Sequence, residues 1–267
     1  MNDYKPALKR FGQNFLIDKN ILDIIISRSD LNKNDCVLEV GAGKGFLTQA
    51  LLETNIKFLN SIEIDERFKP ELSVFERNHK NFKIYWSDAM NFDYETLQVM
   101  PNKIIANIPY NITTPLIWKL LNYASKGFTY HLYMVQKEAA ERLTAKSNSK
   151  ARYPLGVTLE AMGKADIIKN VSRKCFRPIP KVESCLIEII IDRNFELGSD
   201  KIWNEFLHKA FSQRRKTLIN NLTGFMNFTR ENLENILSEL NVNLKIRAED
   251  LECETWLKLY EYLIQNY

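Results

Sequence analysis

Cys36-Val37-Leu38-Glu39-Val40-Gly41-Ala42-Gly43-Lys44-Gly45-Phe46-Leu47-Thr48 reads as a short buried strand, a glycine turn and the opening of a helix. Glycine lacks a Cβ, so such a turn lets a ligand approach the backbone closely. Phe58-Leu59-Asn60-Ser61-Ile62-Glu63-Ile64-Asp65 is a second apolar run that ends in acids. Glu63 lies 63 − 41 = 22 residues beyond the first glycine, the spacing at which a carboxylate grips ribose hydroxyls in nucleotide-binding α/β folds. The ligand therefore carries a ribose. Glycines and Glu63 alone leave a nicotinamide cofactor and S-adenosyl-L-methionine both open. The spacing Gly-x-Gly-x-Gly, rather than the dinucleotide pattern Gly-x-Gly-x-x-Gly, favours the latter. So does Asp88, an acceptor after a third strand at 82–86 that suits an adenine amino group. A P-loop is excluded, because no Gly-Lys-Ser/Thr follows.

Further strands are expected at 103–106, 130–135, 165–171 and 182–191, with helical stretches between the earlier ones. Seven strands spaced in this way predict a doubly wound, mainly parallel α/β sheet. Beyond Asp192-Arg193-Asn194 only helical periodicity remains: Trp203 to Phe211, Lys216 to Leu222, Leu233 to Leu240 and Trp256 to Leu263. The expected organisation is a cofactor-binding catalytic domain over 1–194 and a small all-α RNA-binding domain over 195–267.

Asn107-Ile108-Pro109-Tyr110-Asn111 follows the fourth strand, at the end of the sheet where open α/β folds bind ligands. An amide oxygen, peptide carbonyls beside proline and an aromatic face suit a planar amine such as the exocyclic amino group of adenine. Asn107, Pro109 and Tyr110 are thus the candidate catalytic residues, Tyr110 as a stacking face, with Phe11, Phe15 and Phe176 as candidates for the other face of the base. The helix after the loop is expected to be capped by Thr114, with Pro115 in its first position.

A net charge of +4 is compatible with nucleic acid without demanding it. Its placement says more: Lys9, Arg10, Arg142, Lys146, Lys150, Arg152, Arg173, Lys174, Arg177, Lys181, Arg214, Arg215 and Lys216 fall in an N-terminal arm, in loops and early in the helical region. Such cations contact phosphates and position RNA without reading its sequence. Phe11, Phe15 and Leu16 give the arm apolar groups with which to dock, and Asp18 is placed to cap the helix that follows. Cys36, Cys175, Cys185 and Cys253 form no C-x-x-C pair, and His79, His131 and His208 are not at ligand spacing from them. Met1-Asn2-Asp3-Tyr4-Lys5 lacks the apolar run of a secretory signal, and no apolar stretch is long enough to span a bilayer. A reduced cytoplasmic protein with no structural metal and no membrane contact is expected, and nothing demands more than a monomer.

With these residues in place, the chain resembles the ribosomal RNA adenine N6-dimethyltransferase family over nearly its whole length. The matching stretches begin with Gly12-Gln13-Asn14-Phe15-Leu16, Glu39 to Thr48, Glu63-Ile64-Asp65, Asp88-Ala89 and Asn107 to Asn111. Gln136-Lys137-Glu138 with Glu141-Arg142-Leu143, Phe176-Arg177-Pro178-x-Pro180-Lys181-Val182-x-Ser184 and Phe211-x-Gln213-Arg214-Arg215-Lys216-Thr217-Leu218 complete them. The last two, with Pro115, point to the small-subunit branch. The resemblance implies a class I, Rossmann-like fold and dimethylation of two adjacent adenosines in a hairpin loop near the 3′ end of 16S rRNA, within the 30S subunit or its precursor. It implies that Asn14 and Leu16 close over the methionine end of S-adenosyl-L-methionine and that Gly41, with Gly43 in the same turn, lies under it. Glu63 would hold the ribose, Asp88 the adenine amino group, and Asn107 would face the target amine. Alternatives are the sister branch that methylates 23S rRNA and a non-catalytic nucleic-acid-binding relative. Arg152-Tyr153-Pro154-Leu155-Gly156-Val157 departs from the family pattern, which has Tyr-Gly followed by Leu, and is read as a loop.

Overall fold

In the computed structural model, residue 8 and residues 11–265 are described; Lys9 and Arg10 of the arm lie outside them. The elements run β1 (Phe15–Leu16), α1 (Lys19–Arg28), β2 (Cys36–Val40), α2 (Phe46–Leu52), β3 (Phe58–Glu63), α3 (Lys69–Asn78), β4 (Phe82–Trp86) and β5 (Lys103–Asn107). Then come α4 (Thr113–Leu121), β6 (Tyr130–Gln136), α5 (Lys137–Leu143), α6 (Pro154–Met162), β7 (Gly163–Val171), β8 (Phe176–Arg177) and β9 (Ser184–Ile191). The helices α7 (Lys201–Ala210), α8 (Leu218–Leu222), α9 (Arg230–Glu239) and α10 (Cys253–Gln265) close the chain.

Seven strands form one sheet in the order β4-β3-β2-β5-β6-β9-β7, while β1 and β8 pair separately. β2 is parallel to β3 and β5, β3 to β4 and β5 to β6. β9 runs antiparallel to β6. Every residue of β2 and β3 is buried, as expected of parallel strands covered on both faces. The chain steps outward from β2 through β3 to β4, then returns to β5 on the other side of β2. That reversal opens a crevice at the carboxyl ends of β2 and β5.

By its contacts the chain forms two compact units, residues 1–140 with 166–191 and residues 141–165 with 192–267. This differs from a single cut at 194/195, because the segment 141–165 belongs with the helices. The reason is α6. Trp203 Nε1 donates to Thr158 Oγ1 (2.9 Å), and the Asp192 and Arg193 amides donate to the Met162 carbonyl (3.0 and 3.2 Å). The stretch read as a loop is therefore a helix from Pro154 onward. Proline suits the first helical position, where its missing N–H has no partner to lose. In the second unit Trp203 packs edge to face on Tyr260 at 5.0 Å and Phe206 on Trp256 at 5.4 Å, while Phe206 and Tyr260 stack at 5.7 Å.

Local details follow from side chains. Asp18 caps α1 by accepting from the Ile21 amide (3.2 Å). α4 begins one residue earlier than Thr114, at Thr113, with no side-chain cap; a 3-10 turn over Tyr110–Ile112 feeds directly into it. The expected Thr114 cap is thus replaced by backbone continuity.

Candidate active site

A cavity of about 320 Å³ lies at the switch point, within the first unit. Asn14, Leu16, Gly41, Gly43, Glu63, Asp88, Asn107, Pro109 and Tyr110 all line it. They arrive from five places: the segment before α1, the turn after β2, the ends of β3 and β4, and the loop after β5.

The glycine turn needs its glycines. Gly41, Gly43 and Gly45 have φ of +82°, +54° and +80°, backbone that side chains disfavour. A Cβ on Gly43 would also stand 3.1 Å from the Phe15 ring. The Gly43 amide donates to Glu63 Oε2 and the Asp65 amide to Glu63 Oε1, both at 2.7 Å. Glu63 is only 4% exposed. Burial pushes its pKa up and the backbone donors pull against that shift. Its carboxylate is aimed before any ligand arrives, with lone pairs left for hydroxyl donors. Asp88 is held similarly, accepting from the Met90 amide (2.8 Å) and Asn91 Nδ2 (3.0 Å).

The segment over the turn is a strap. Phe15 pairs with Arg177 and Leu16 with Phe176 in the two-stranded sheet. The Ile17 amide extends the pairing to the Cys175 carbonyl (2.9 Å). Gln13 Nε2 donates to Asp65 Oδ2 (2.8 Å), and Arg67 forks onto the same carboxylate (2.6 Å). Arg67 holds the Asp65 carboxyl down at a pKa of about 2.

Asn107 ends β5. Its Nδ2 donates to the Asn14 carbonyl (2.9 Å). That bond identifies the amide orientation and leaves Oδ1 as the end free to accept. The Pro109 carbonyl already accepts from the Ile112 amide (3.1 Å) and lies 3.5 Å from Thr113 Oγ1. The Ile108 carbonyl accepts no such bond among the described residues. Of the Ile108 and Pro109 carbonyls, that of Ile108 is the one available, and Pro109 shapes the turn. Tyr110 is half-buried, its hydroxyl 2.6 Å from Ser184 Oγ on β9.

Two expected placements are corrected. Phe176 does not line the cavity; it is fully buried in the core, paired with Leu16 in the two-stranded sheet. Phe11 and Phe15 do line the cavity, and Phe15 stands edge-on to Phe68 at 5.6 Å. Arg152 is not a surface cation. It is 1% exposed and pairs with Glu160 at 2.7 Å, a role its charge alone did not reveal. Lys150, Lys174, Lys181, Arg215 and Lys216 are exposed. Two features escaped the sequence reading: the tie from Asn107 to the strap, and the buried cluster in which Thr48 and Ser61 both donate to Glu39 Oε2 (2.7 and 2.5 Å). Among the described residues no group of three or more His, Cys, Asp or Glu is placed to hold a metal, and no helix is long and apolar enough to cross a membrane.

The strand order, with β9 antiparallel to β6 and a cavity at the switch point, defines a class I methyltransferase. Within that class the chain belongs to the ribosomal RNA adenine dimethylase family, whose profile matches residues 5–265. It is 36% identical over 255 residues to the ribosomal RNA small subunit methyltransferase A of Clostridium botulinum, covering 94% of this chain and 92% of the relative. The protein of the same name from Malacoplasma penetrans is 34% identical over 254 residues, 95% and 90% of the two chains. The crystal structure of a dimethyladenosine transferase from Plasmodium falciparum superposes with a TM-score of 0.82 at 28% identity, over 94% and 98% of the chains. The 23S rRNA methyltransferase ErmE shares the fold, with a TM-score of 0.69 at 23% identity over 94% and 100%.

Proposed function

We propose that the protein transfers methyl groups from S-adenosyl-L-methionine to N6 of two adjacent adenosines in a hairpin loop near the 3′ end of 16S rRNA, producing N6,N6-dimethyladenosine. The observation that carries this reading is Asn107. Its amide is oriented by the bond to Asn14, so that an acceptor oxygen and the open Ile108 carbonyl stand together at the cavity.

The residues present fit the cofactor. Glu63 is a buried, pre-aimed acceptor for ribose hydroxyls, and Asp88 is an acceptor for the adenine amino group. Gly41 and Gly43 leave room for the methionine end, and Asn14 and Leu16 cover it. Bound there, S-adenosyl-L-methionine supplies an electrophilic sulfonium methyl.

The N6 lone pair of adenine is delocalised into the ring and is a poor nucleophile. Asn107 Oδ1 and the Ile108 carbonyl accept from its two hydrogens, draw the nitrogen toward tetrahedral geometry and aim its lone pair. No strong base is needed, because the proton becomes acidic only as the new bond forms. Alignment supplies much of the rate, and the two oxygens stabilise positive charge developing on nitrogen. Tyr110 stacks on the target base once it has left its RNA stack, with Phe11 or Phe15 at the other face.

In this reading residues 1–140 and 166–191 carry catalysis, and the helical unit with exposed cations around it grips RNA. The protein works in the cytoplasm, as a monomer, on the 30S subunit or its precursor. The test is transfer of labelled methyl groups to unmethylated 30S particles, with free 23S RNA in parallel and digestion to nucleosides. Dimethyladenosine from 30S alone is the expected result. Label in 23S RNA alone moves the protein to the other branch, and no label with cofactor still bound leaves a binding protein.

A further inference from the structure

Tyr110 belongs to a 3-10 turn with no side-chain cap. Its backbone alone does not hold a ring in one plane. The hydroxyl, however, is tied to Ser184 Oγ at 2.6 Å. Ser184 is fully buried. It sits opposite Gln136, at the end of β6 beside β5, in the antiparallel register of β9. Tyr110 is the one hydrogen-bond partner of its hydroxyl among the described residues. Ser184 thus anchors the ring from a rigid strand on the far side of β6 from Asn107.

We propose that Ser184 is a positioning residue: by tethering the Tyr110 hydroxyl it fixes the plane on which the target adenine stacks, and the second methyl transfer depends on this more than the first. The inference rests on the adenine-N6 reading above and deepens it. In the first transfer the amine offers two hydrogens to two acceptors, Asn107 Oδ1 and the Ile108 carbonyl, and these fix its direction. The nitrogen forms a bond to the methyl carbon as the carbon–sulfur bond breaks, and one N6 proton leaves to solvent. The product amine keeps one hydrogen. In the second transfer the same bonds form and break and that last proton leaves, but only one acceptor contact remains to orient the nitrogen. Stacking must supply the rest. A ring free to swing about its side-chain torsions orients the monomethylated base poorly.

The test compares wild type with Ser184→Ala, Ser184→Thr, Tyr110→Phe and the double variant Tyr110→Phe/Ser184→Ala, using unmethylated 30S particles, labelled methyl donor and nucleoside digestion. Cofactor affinity by calorimetry and thermal midpoint are read alongside. Ser184→Ala and Tyr110→Phe are expected to accumulate monomethyladenosine, with the second transfer slowed about tenfold, the scale of a lost base-stacking contact. Cofactor affinity stays at the wild-type value and Ser184→Thr restores the dimethyl product. The double variant is no slower than either single one, as for two ends of one bond. Wild-type product ratios in both single variants, or losses that add in the double variant, overturn the proposal. If Ser184→Ala fails to fold, Tyr110→Phe carries the same test with Ser184 intact. Should wild type itself transfer no methyl group to the 30S particle, the adenine reading fails instead.

Discussion

Asn107 reaches the cavity with its amide nitrogen bonded to Asn14 and its oxygen free. Asn107→Ala is expected to retain cofactor binding, because Glu63 and Asp88 are untouched, and to lose about a hundredfold or more in turnover, the scale of removing one group that stabilises developing charge. Calorimetry and the methyl-transfer assay on one preparation check both halves, and near-wild-type turnover removes Asn107 from the mechanism. Glu39 lies beneath the glycine turn, fully buried, with Oε1 lacking a partner. Burial pushes its carboxyl from 4.5 to about 7. A carboxyl that holds its proton more tightly folded than unfolded favours folding at low pH. That contribution is complete below the unfolded value and declines as pH rises to about 7, by about 3 kcal/mol at most. Glu39→Gln should flatten this slope, so denaturant midpoints at pH 5 and pH 8 should lie closer together in the variant; an unchanged gap refutes the assignment. The cavity residues from Gly41 onward were legible because each ends or follows a strand marked by glycine, acid or proline, whereas Asn14 and Leu16 were reached only through the family resemblance. Ser184 was not legible as a partner of Tyr110, since 184 − 110 = 74 residues separate them and no local period links them. Arg152 and Phe176 were misread for the reverse reason: composition reports charge and aromaticity, not burial.

Strands announced themselves as short apolar runs between turn signals, and their bounds shifted by a residue or two. The pair β1/β8 has two residues on each side, too few for any alternation to show, yet it pins the strap over the cavity. The helix α6 was hidden by Pro154 and Gly156, which read as loop formers. Gly156 is there for space. A Cβ would stand 2.7 Å from the Arg142 carbonyl oxygen, a backbone atom that cannot swing aside. Gly156→Ala sets a helix-propensity gain of about 1 kcal/mol against overpacking of about 1–3 kcal/mol. With backbone at the contact, overpacking wins, and a thermal midpoint below wild type is expected. A midpoint at or above wild type would show that α5 yields.

For the whole molecule, charge placement decides RNA binding. Lys181, Arg215 and Lys216 are exposed cations, and in the proposed reading such cations contact phosphates with a strength that falls with salt. Replacing any one by alanine should weaken binding and lower the slope of log affinity against log salt by about one. Arg152→Met should leave that slope alone and reduce stability, because Glu160 loses a buried partner. A wild-type slope in every one of the surface variants would mean that RNA is held elsewhere. The division into two units was only half visible, since the first unit is built from two separated stretches. During synthesis this has a kinetic cost. Every residue lining the cavity lies between 11 and 112, so that wall of the site can form early. The edge of β6, however, has no neighbour until β9, 184–191, has left the ribosome. Until then β6 presents unpaired amides and carbonyls, a surface prone to wrong partners, and Tyr110 lacks its anchor. The nascent chain can acquire the floor of the cofactor pocket before it acquires either the pinned strap or an ordered base-stacking plane, because β8 and β9 both follow, and the order of translation sets the order in which the parts of the site mature.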